Sequence, residues 1–369
     1  MKTALVHDWF YSITGAEKVA EEIYSLFPSK VFCLIKNEKN LKNLSILKED
    51  ITASFIQRLP FGKEKYPYYL PLFPYAIESF DLNEFDLILS SSSSIAKNVL
   101  TNSNQVHICY CHTPMRYAWD LYFDYLKLHH MQTGIKGILT KWMMHKLRLW
   151  DLAHSSRVDH FIANSKTVAK RIYSLYKRSS IVIHPPVDTD FFSHDHSKKE
   201  NYFITCSRLV PYKKIDIMIE AFSKLKDQRL LIAGDGPELK RLKSIAPPNV
   251  EFLGSISNES LRSYLTKAKA FIFMAHEDFG IAPVEAQSCG TAVIAFSKGG
   301  AKESVVDQKT GIFFDHQTPH ALIDAIDKFH RIEDKFDIDI IQEHAKQFSK
   351  QNFREKFKAV TLDLYNKSK

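Results

Sequence analysis

Long apolar runs are missing from this chain of 369 residues. None reaches the ~18 residues that span a bilayer, and the longest candidates are broken by His7, Asp8 or Asp86, so no transmembrane helix is expected. The opening MKTALVHDWF has one early Lys and too short an apolar core for a secretory signal, and reads as a first strand. Cysteine is scarce and odd in number, five in all. Cys33, Cys109, Cys111, Cys206 and Cys289 mostly lie inside apolar runs, which suits reduced cytosolic thiols and not a disulfide framework. Cys109, Cys111 and His112 have no second cysteine pair at ligand spacing to complete a zinc site. There are no internal repeats, and the serine run at 90–94 is too short for a linker.

What is there belongs to a folded protein. Hydrophobic residues at 45% and charged residues at 25% match soluble globular averages. At roughly 100 to 200 residues per domain the length predicts two domains, each able to bury its own core. The net charge of +8 is uneven: residues 1–185 hold 23 Lys or Arg against 16 Asp or Glu, whereas 186–369 hold 27 against 26. All four tryptophans (Trp9, Trp119, Trp142, Trp150) also fall in the first half. A basic half predicts an anionic partner there, such as a phosphorylated lipid, a membrane surface or a nucleic acid. Nucleic acid is disfavoured, because helix-turn-helix, zinc-finger and aromatic RNA-binding signatures are all absent and the second half is nearly neutral.

Short apolar runs alternate with amphipathic stretches. Thr3 to His7 reads as a strand, followed by a helix with Ala16, Val19, Ala20, Ile23 and Phe27 on one face. Further strands are predicted at 85–89, 106–110, 160–163 and 181–184, and then at 202–206, 229–233, 250–253, 270–274 and 291–295. Two such series predict an α/β protein with two doubly wound, Rossmann-like parallel-sheet domains. The prolines of HPPVDTDFF, 184–192, mark the boundary. A first domain therefore covers 1–185 and a second 186–350, with a last helix, 351–369, whose stripe of Phe353, Phe357, Val360 and Leu364 must be buried and rejoins the first domain.

The strongest local signal is EDFGIAPVEAQSCG, 277–290, between an apolar strand and another strand. Pro283 suits a helix first turn, so the helix begins near Ala282, with Gly280 and Ile281 at an N-terminus able to take a phosphate. Glu277 before it and Glu285 within it can accept hydrogen bonds from sugar and ribose hydroxyls. The plain alternative is that each acid only complements the helix dipole. SRLVPYKK, 207–214, places Arg208 and Lys213 just after a strand, where open α/β sheets bind ligands, and supplies cations for a diphosphate. GDGPE, 234–238, is a further glycine-rich strand-to-helix turn. Gly15 with Ala16 is either a backbone approach to phosphate or only a helix start.

GAEKV, CHTP, HPPVDTDFF, SRLVPYKK, AGDGPELKRL, VEFLG, EDFGIAPVEAQSCG and SKGGAKESV together resemble the retaining nucleotide-sugar glycosyltransferases of family 4, with the GT-B fold, over nearly the whole chain. VHDW, GAEKV and CHTPMRYAWD are further similar to bacterial polysaccharide mannosyltransferases, including those of O-antigen and lipopolysaccharide. The resemblance implies two domains facing a cleft, the second binding a nucleotide sugar, GDP-mannose by preference, and the first a saccharide or lipid-linked acceptor. It implies that Glu277 holds the transferred sugar and Glu285 the ribose, that Arg208 and Lys213 bind the diphosphate, and that Phe279, Gly280 and Ile281 offer backbone N–H groups. His112 matches the histidine near the reaction centre, and Gly15 the phosphate-approaching turn. Two positions depart from the family: Ala16 replaces a second glycine, and Tyr212 a glutamate beside Lys213. No metal or other cofactor is implied.

The reading is a retaining hexosyltransferase of the cytoplasm. Its rivals are a GT-B nucleotide-sugar epimerase and a basic nucleic-acid-binding protein. Residues 136–150 add a possible membrane partner. Lys141, His145 and Arg148 fall on one helix side, Ile138, Leu139, Trp142, Met143 and Trp150 on the other, with Lys146 in the apolar arc. That pattern predicts peripheral contact with the inner face of the cytoplasmic membrane, unless the apolar side is simply packed into the core.

Overall fold

The computed structural model describes residues 1–37, 46, 51–195 and 197–369. The chain divides into two compact units, residues 1–185 with 353–369, and residues 186–352.

The first unit is built on a seven-stranded parallel sheet. Its strands are β1 (Thr3–His7), β2 (Lys30–Cys33), β3 (Ile51–Ala53), β4 (Leu87–Ser92), β5 (Val106–Cys111), β6 (His160–Ala163) and β7 (Ser180–Val182). The order is β3-β2-β1-β4-β5-β6-β7, so the direction of winding reverses between β1 and β4. Both faces are covered, which is why the strands are apolar runs without alternation. Ala4 and Val6 enter the core on one face and Leu5 the core on the other, as the two-residue period of a strand requires. Residues 353–369 complete the second of these cores. Phe353 and Phe357 lie edge-on to Tyr110 at 5.8 and 6.0 Å, and the Arg354 guanidinium donates to Glu22 at 2.6 Å.

The second unit repeats the scheme with β8 (Phe203–Cys206), β9 (Leu230–Ala233), β10 (Val250–Gly254), β11 (Ala270–Phe273), β12 (Ala292–Phe296) and β13 (Gly311–Phe314). Six parallel strands run in the order β10-β9-β8-β11-β12-β13, with the reversal between β8 and β11. Two doubly wound parallel sheets make this the GT-B architecture. β2, β3 and β13 are strands beyond those expected, although Val31 to Ile35 at β2 is an unbroken apolar run. Each has only three or four residues, and β3 and β13 are sheet edges.

The helix Gly134–His154 departs from expectation in a specific way. Gly137, Met144, Leu147 and Asp151 form its buried face. Met143 and Trp150 pack partly against the same core, and Arg148 turns inward to donate to the Ala118 carbonyl at 2.9 Å. Met143, Trp150 and Arg148 therefore do not belong to an outward surface. Ile135, Ile138, Leu139, Trp142 and Leu149 are exposed. At 3.6 residues per turn their spacing puts them on one stripe opposite the buried face.

Candidate functional site

In open α/β sheets ligands bind beyond the carboxyl ends of strands where the winding reverses. In the second unit those ends are Cys206 of β8 and Phe273 of β11. Arg208 and Lys213 follow the first, Glu277, Phe279, Gly280 and Ile281 the second. Lys213 and Glu277 are brought into a direct ion pair, both largely but not fully buried. Arg208 is exposed on the same loop as Lys213.

Each loop is held by a neighbouring turn. The GDGPE turn clamps the first: Leu209 N–H donates to the Asp235 carbonyl at 2.9 Å, and Glu238 N–H to the Leu209 carbonyl at 3.2 Å. The second is held by Gly299 and Gly300, whose role single-residue reasoning misses. Gly300 N–H donates to the Glu277 carbonyl at 2.9 Å, and a Cβ on Gly300 would sit 2.2 Å from Phe279 Cα. Only glycine permits that approach.

Gly280 caps the helix Ile281–Ser288 with φ of 87°. A Cβ there would also meet the Phe273 ring at 2.9 Å. Pro283 falls in the first turn of this helix, where its missing N–H costs nothing. Phe279 is buried against Phe348 at 5.4 Å, so it fixes the loop and leaves its backbone as the part able to face a ligand. Glu285 is buried within the helix, on the element that begins at Gly280.

In the first unit the reversal lies between His7 of β1 and Ser91 of β4. Gly15 is the first residue of the helix Gly15–Leu26, behind the N-cap Thr14. His112 follows β5 and is buried, with its Nε2 2.8 Å from Ser91 Oγ. The serine run is an anchoring device. The buried Asp8 carboxylate accepts the backbone N–H groups of Ser93, Ser94, Ile95 and Ala96 at 2.5, 2.9, 2.8 and 2.7 Å. Ser90 Oγ meets His107 Nε2 at 2.8 Å, and Ser94 Oγ meets the Tyr117 hydroxyl at 2.7 Å. Sequence reasoning does not single out Asp8 and these serines as a unit; the available signal is an acid directly after β1 facing a polar run that forms the end of β4 and the turn beyond it.

Among the described residues no three His, Cys, Asp or Glu side chains cluster to hold a metal. The second-unit loops thus present cations, one paired carboxylate and a helix start, chemistry that suits an anionic, hydroxyl-bearing ligand.

Comparison with known proteins bears on this arrangement. Residues 31–191 match the protein-family model described as Glycosyltransferase Family 4, and residues 186–352 the model described as Glycosyl transferases group 1. A D-inositol 3-phosphate glycosyltransferase of Mycobacterium sp. (strain KMS) is 33% identical over 184 residues, 42% of this chain and 41% of the relative. A GDP-mannose-dependent alpha-(1-6)-phosphatidylinositol monomannoside mannosyltransferase of Mycolicibacterium smegmatis is 32% identical over 192 residues, 44% of this chain and 50% of the relative. The chain thus aligns with half or less of the length of these curated relatives. Among solved structures, the Anabaena protein HepE in complex with UDP superposes with a TM-score of 0.74 at 17% identity, covering 98% of this chain and 100% of the other. That likeness supports the fold.

Proposed function

We propose that this chain is a GT-B glycosyltransferase of family 4, a reading that its two family matches and its fold support, and that it moves a hexose from a nucleotide-sugar donor to an acceptor hydroxyl. The observation that carries the reading is the Lys213–Glu277 pair at the β8/β11 reversal, inside residues 186–352. In this reading Lys213 and Arg208 hold the donor diphosphate, with backbone N–H groups of Phe279 to Ile281. Glu277 takes hydroxyls of the transferred sugar and Glu285 those of the ribose. Residues 1–185 bind the acceptor, with Gly15 and His112 on the ligand side of their sheet.

The donor is GDP-mannose and the transfer retains configuration. Support for mannose comes from the first-half motifs and from the name of the mycobacterial mannosyltransferase. The bond from sugar C1 to the diphosphate breaks, a bond from C1 to the acceptor oxygen forms on the same face, and the acceptor proton leaves with the diphosphate. Charge grows on the departing diphosphate, where fixed cations contribute most to catalysis. A role in cell-surface polysaccharide synthesis follows if the acceptor is a saccharide or lipid-linked sugar.

The exposed stripe on the helix Gly134–His154 supports a peripheral membrane contact. Ile135, Ile138, Leu139, Trp142 and Leu149 face outward, Lys136 and Lys141 flank them, and the Lys146 ammonium lies 5.9 Å from the Trp142 ring centre. Apolar and cationic groups together suit an anionic bilayer surface.

The test is calorimetry of the purified protein with GDP, UDP and ADP, followed by an assay for nucleotide release. GDP should bind most tightly, and free GDP should appear from GDP-mannose only when acceptor is added. Preference for UDP or ADP would overturn the donor, and product epimerised without acceptor would favour an epimerase.

A further inference from the structure

At the reversal of the first sheet, His7 stands opposite Ser91. His7 Nδ1 lies 3.0 Å from the Ser91 carbonyl oxygen and 3.2 Å from its hydroxyl. A carbonyl only accepts, so this nitrogen carries a hydrogen. On the other side of the ring, Nε2 lies 3.8 Å from Glu17 Oε1. The second Glu17 oxygen accepts the Thr14 backbone N–H at 2.8 Å and the Thr14 hydroxyl. Ser91 Oγ then reaches His112 Nε2 at 2.8 Å. Glu17, His7, Ser91 and His112 are 3%, 2%, 0% and 9% exposed, so solvent does not compete for these contacts.

Hydrogen placement follows from the chemistry of each group. His7 donates toward both Ser91 oxygens, which frees the Ser91 hydroxyl hydrogen to be donated to His112 Nε2. A nitrogen that accepts a hydrogen bond is bare, and a neutral imidazole with a bare Nε2 carries its hydrogen on Nδ1. The direction of donation is thus set by the Ser91 carbonyl, which requires the hydrogen on His7 Nδ1, and is handed on through the Ser91 hydroxyl, with Glu17 flanking the far edge of the His7 ring.

We propose that Glu17, His7 and Ser91 are positioning residues that fix the ring orientation and the Nδ1–H tautomer of His112. The proposal deepens the reading above, since a tautomer matters to turnover only if His112 meets the substrate. Burial alone would push the Glu17 carboxyl up, but the hydrogen bond and charge of His7, with the Thr14 contact, outweigh it and hold the group below its usual range. An ionised Glu17 beside the His7 ring holds that ring in place by charge. The same residue caps the helix that begins at Gly15, so one carboxylate orients both the helix start and, through two side chains, His112.

The experiment is long-range proton–nitrogen correlation NMR on the full chain labelled with nitrogen-15 in histidine, at about pH 8 so that ordinary imidazoles are neutral. His112→Gln assigns the signals. Wild type should show His112 with hydrogen on Nδ1 and a bare Nε2. Ser91→Ala should release the tautomer and lower kcat about tenfold with an unchanged KM for the donor, and Ser91→Thr, which keeps the hydroxyl, should restore both. Hydrogen on Nε2 in wild type, or an unchanged tautomer in folded Ser91→Ala, would overturn the proposal. The measurement on wild type decides even if a variant fails to fold. If the tautomer behaves as expected but His112→Gln turns over like wild type, the placement of His112 at the reaction centre falls and the positioning line stands.

Discussion

Lys213 pairs with Glu277 across the point where the second sheet reverses its strand order. The pair makes the two residues antagonists in the ligand-free protein, because the carboxylate that would hold a sugar hydroxyl occupies the ammonium that would hold a phosphate. Replacing Glu277 should therefore separate binding from turnover. Glu277→Gln is expected to bind free GDP as tightly as wild type or tighter, while kcat falls by about 30-fold, ~2 kcal/mol of lost transition-state stabilisation. Lys213→Ala and Arg208→Ala should weaken GDP binding and turnover together. Calorimetry beside steady-state kinetics reads both quantities; weaker GDP binding with normal turnover in Glu277→Gln would reject the assignment.

The architecture was legible because its strands are continuous apolar runs. Thr3–His7 and His160–Ala163 stand at the predicted bounds, and the other predicted strands shift by three residues or fewer at either end. β3 and β13 are short edge strands, each held by one neighbour and with no long hydrophobic signal, and both go unread, although β7, an edge strand of three residues, is found. Lys213 and Glu277 could be read as a pair of opposite charges after strands, yet their contact needs β8 and β11 to be adjacent, a fact of sheet order and not of local pattern. Asp8 and the serine run are the clearest omissions. Serine favours caps and turns, so five in a row read as a turn and give no sign of an anchor until a buried carboxylate is known to lie beside them.

The same helix that shows an apolar stripe outward is pinned inward by a buried ion pair. Lys97 Nζ donates to Asp151 at 2.6 Å, and Asp151 also accepts from the Trp119 indole at 2.9 Å and the Tyr176 hydroxyl at 2.7 Å. Burial pushes the Lys97 ammonium down, but Asp151 outweighs that and raises it above its ordinary value, so the ammonium stays protonated. Removing either member strands the other charge. Lys97→Met and Asp151→Asn should each cost ~3–5 kcal/mol, with the double variant at least ~1 kcal/mol better than the sum. Denaturant midpoints measure this; strictly additive losses would show that the two groups do not interact.

His107 gives a pH signature to stability. It is fully buried in β5, with Nδ1 donating to the Arg157 carbonyl at 3.1 Å and Nε2 2.8 Å from Ser90 Oγ. Burial pulls its pKa down from 6.5 to about 4, against smaller raising effects of Arg157 and Asp159. Between those values the unfolded chain binds a proton that the folded chain refuses, so stability falls as pH drops from 6.5 to 4. At 1.36 kcal/mol per unit the loss from this ring amounts to ~3 kcal/mol. Unfolding free energies from pH 7.5 to 4 should decline less steeply in His107→Gln than in wild type. Parallel curves would mean that the ring is protonated in the folded state.

The outward stripe of the helix Gly134–His154 sets the last test. Its apolar members are not those of an ordinary amphipathic surface helix, since the core-facing side is already filled by Met144, Leu147 and Asp151. Ile135, Ile138, Leu139, Trp142 and Leu149 are exposed together on one side, and a bilayer interface takes both such groups and the lysines beside them. Each Lys near an anionic surface contributes ~1 kcal/mol, so Lys136, Lys141 and Lys146 together account for about 150-fold in affinity. Arg148, directed at the Ala118 carbonyl, should contribute little. In sedimentation with vesicles, wild type should pellet with anionic lipid, stay in solution with zwitterionic lipid, and be released by high salt. The triple Lys→Gln variant should lose most of the binding, Arg148→Gln should keep it, and Trp142→Ser should weaken it even at low salt. If wild type fails to pellet, or the triple variant pellets equally, the membrane contact is wrong. If only Arg148→Gln fails to pellet, the contact lies on a different face.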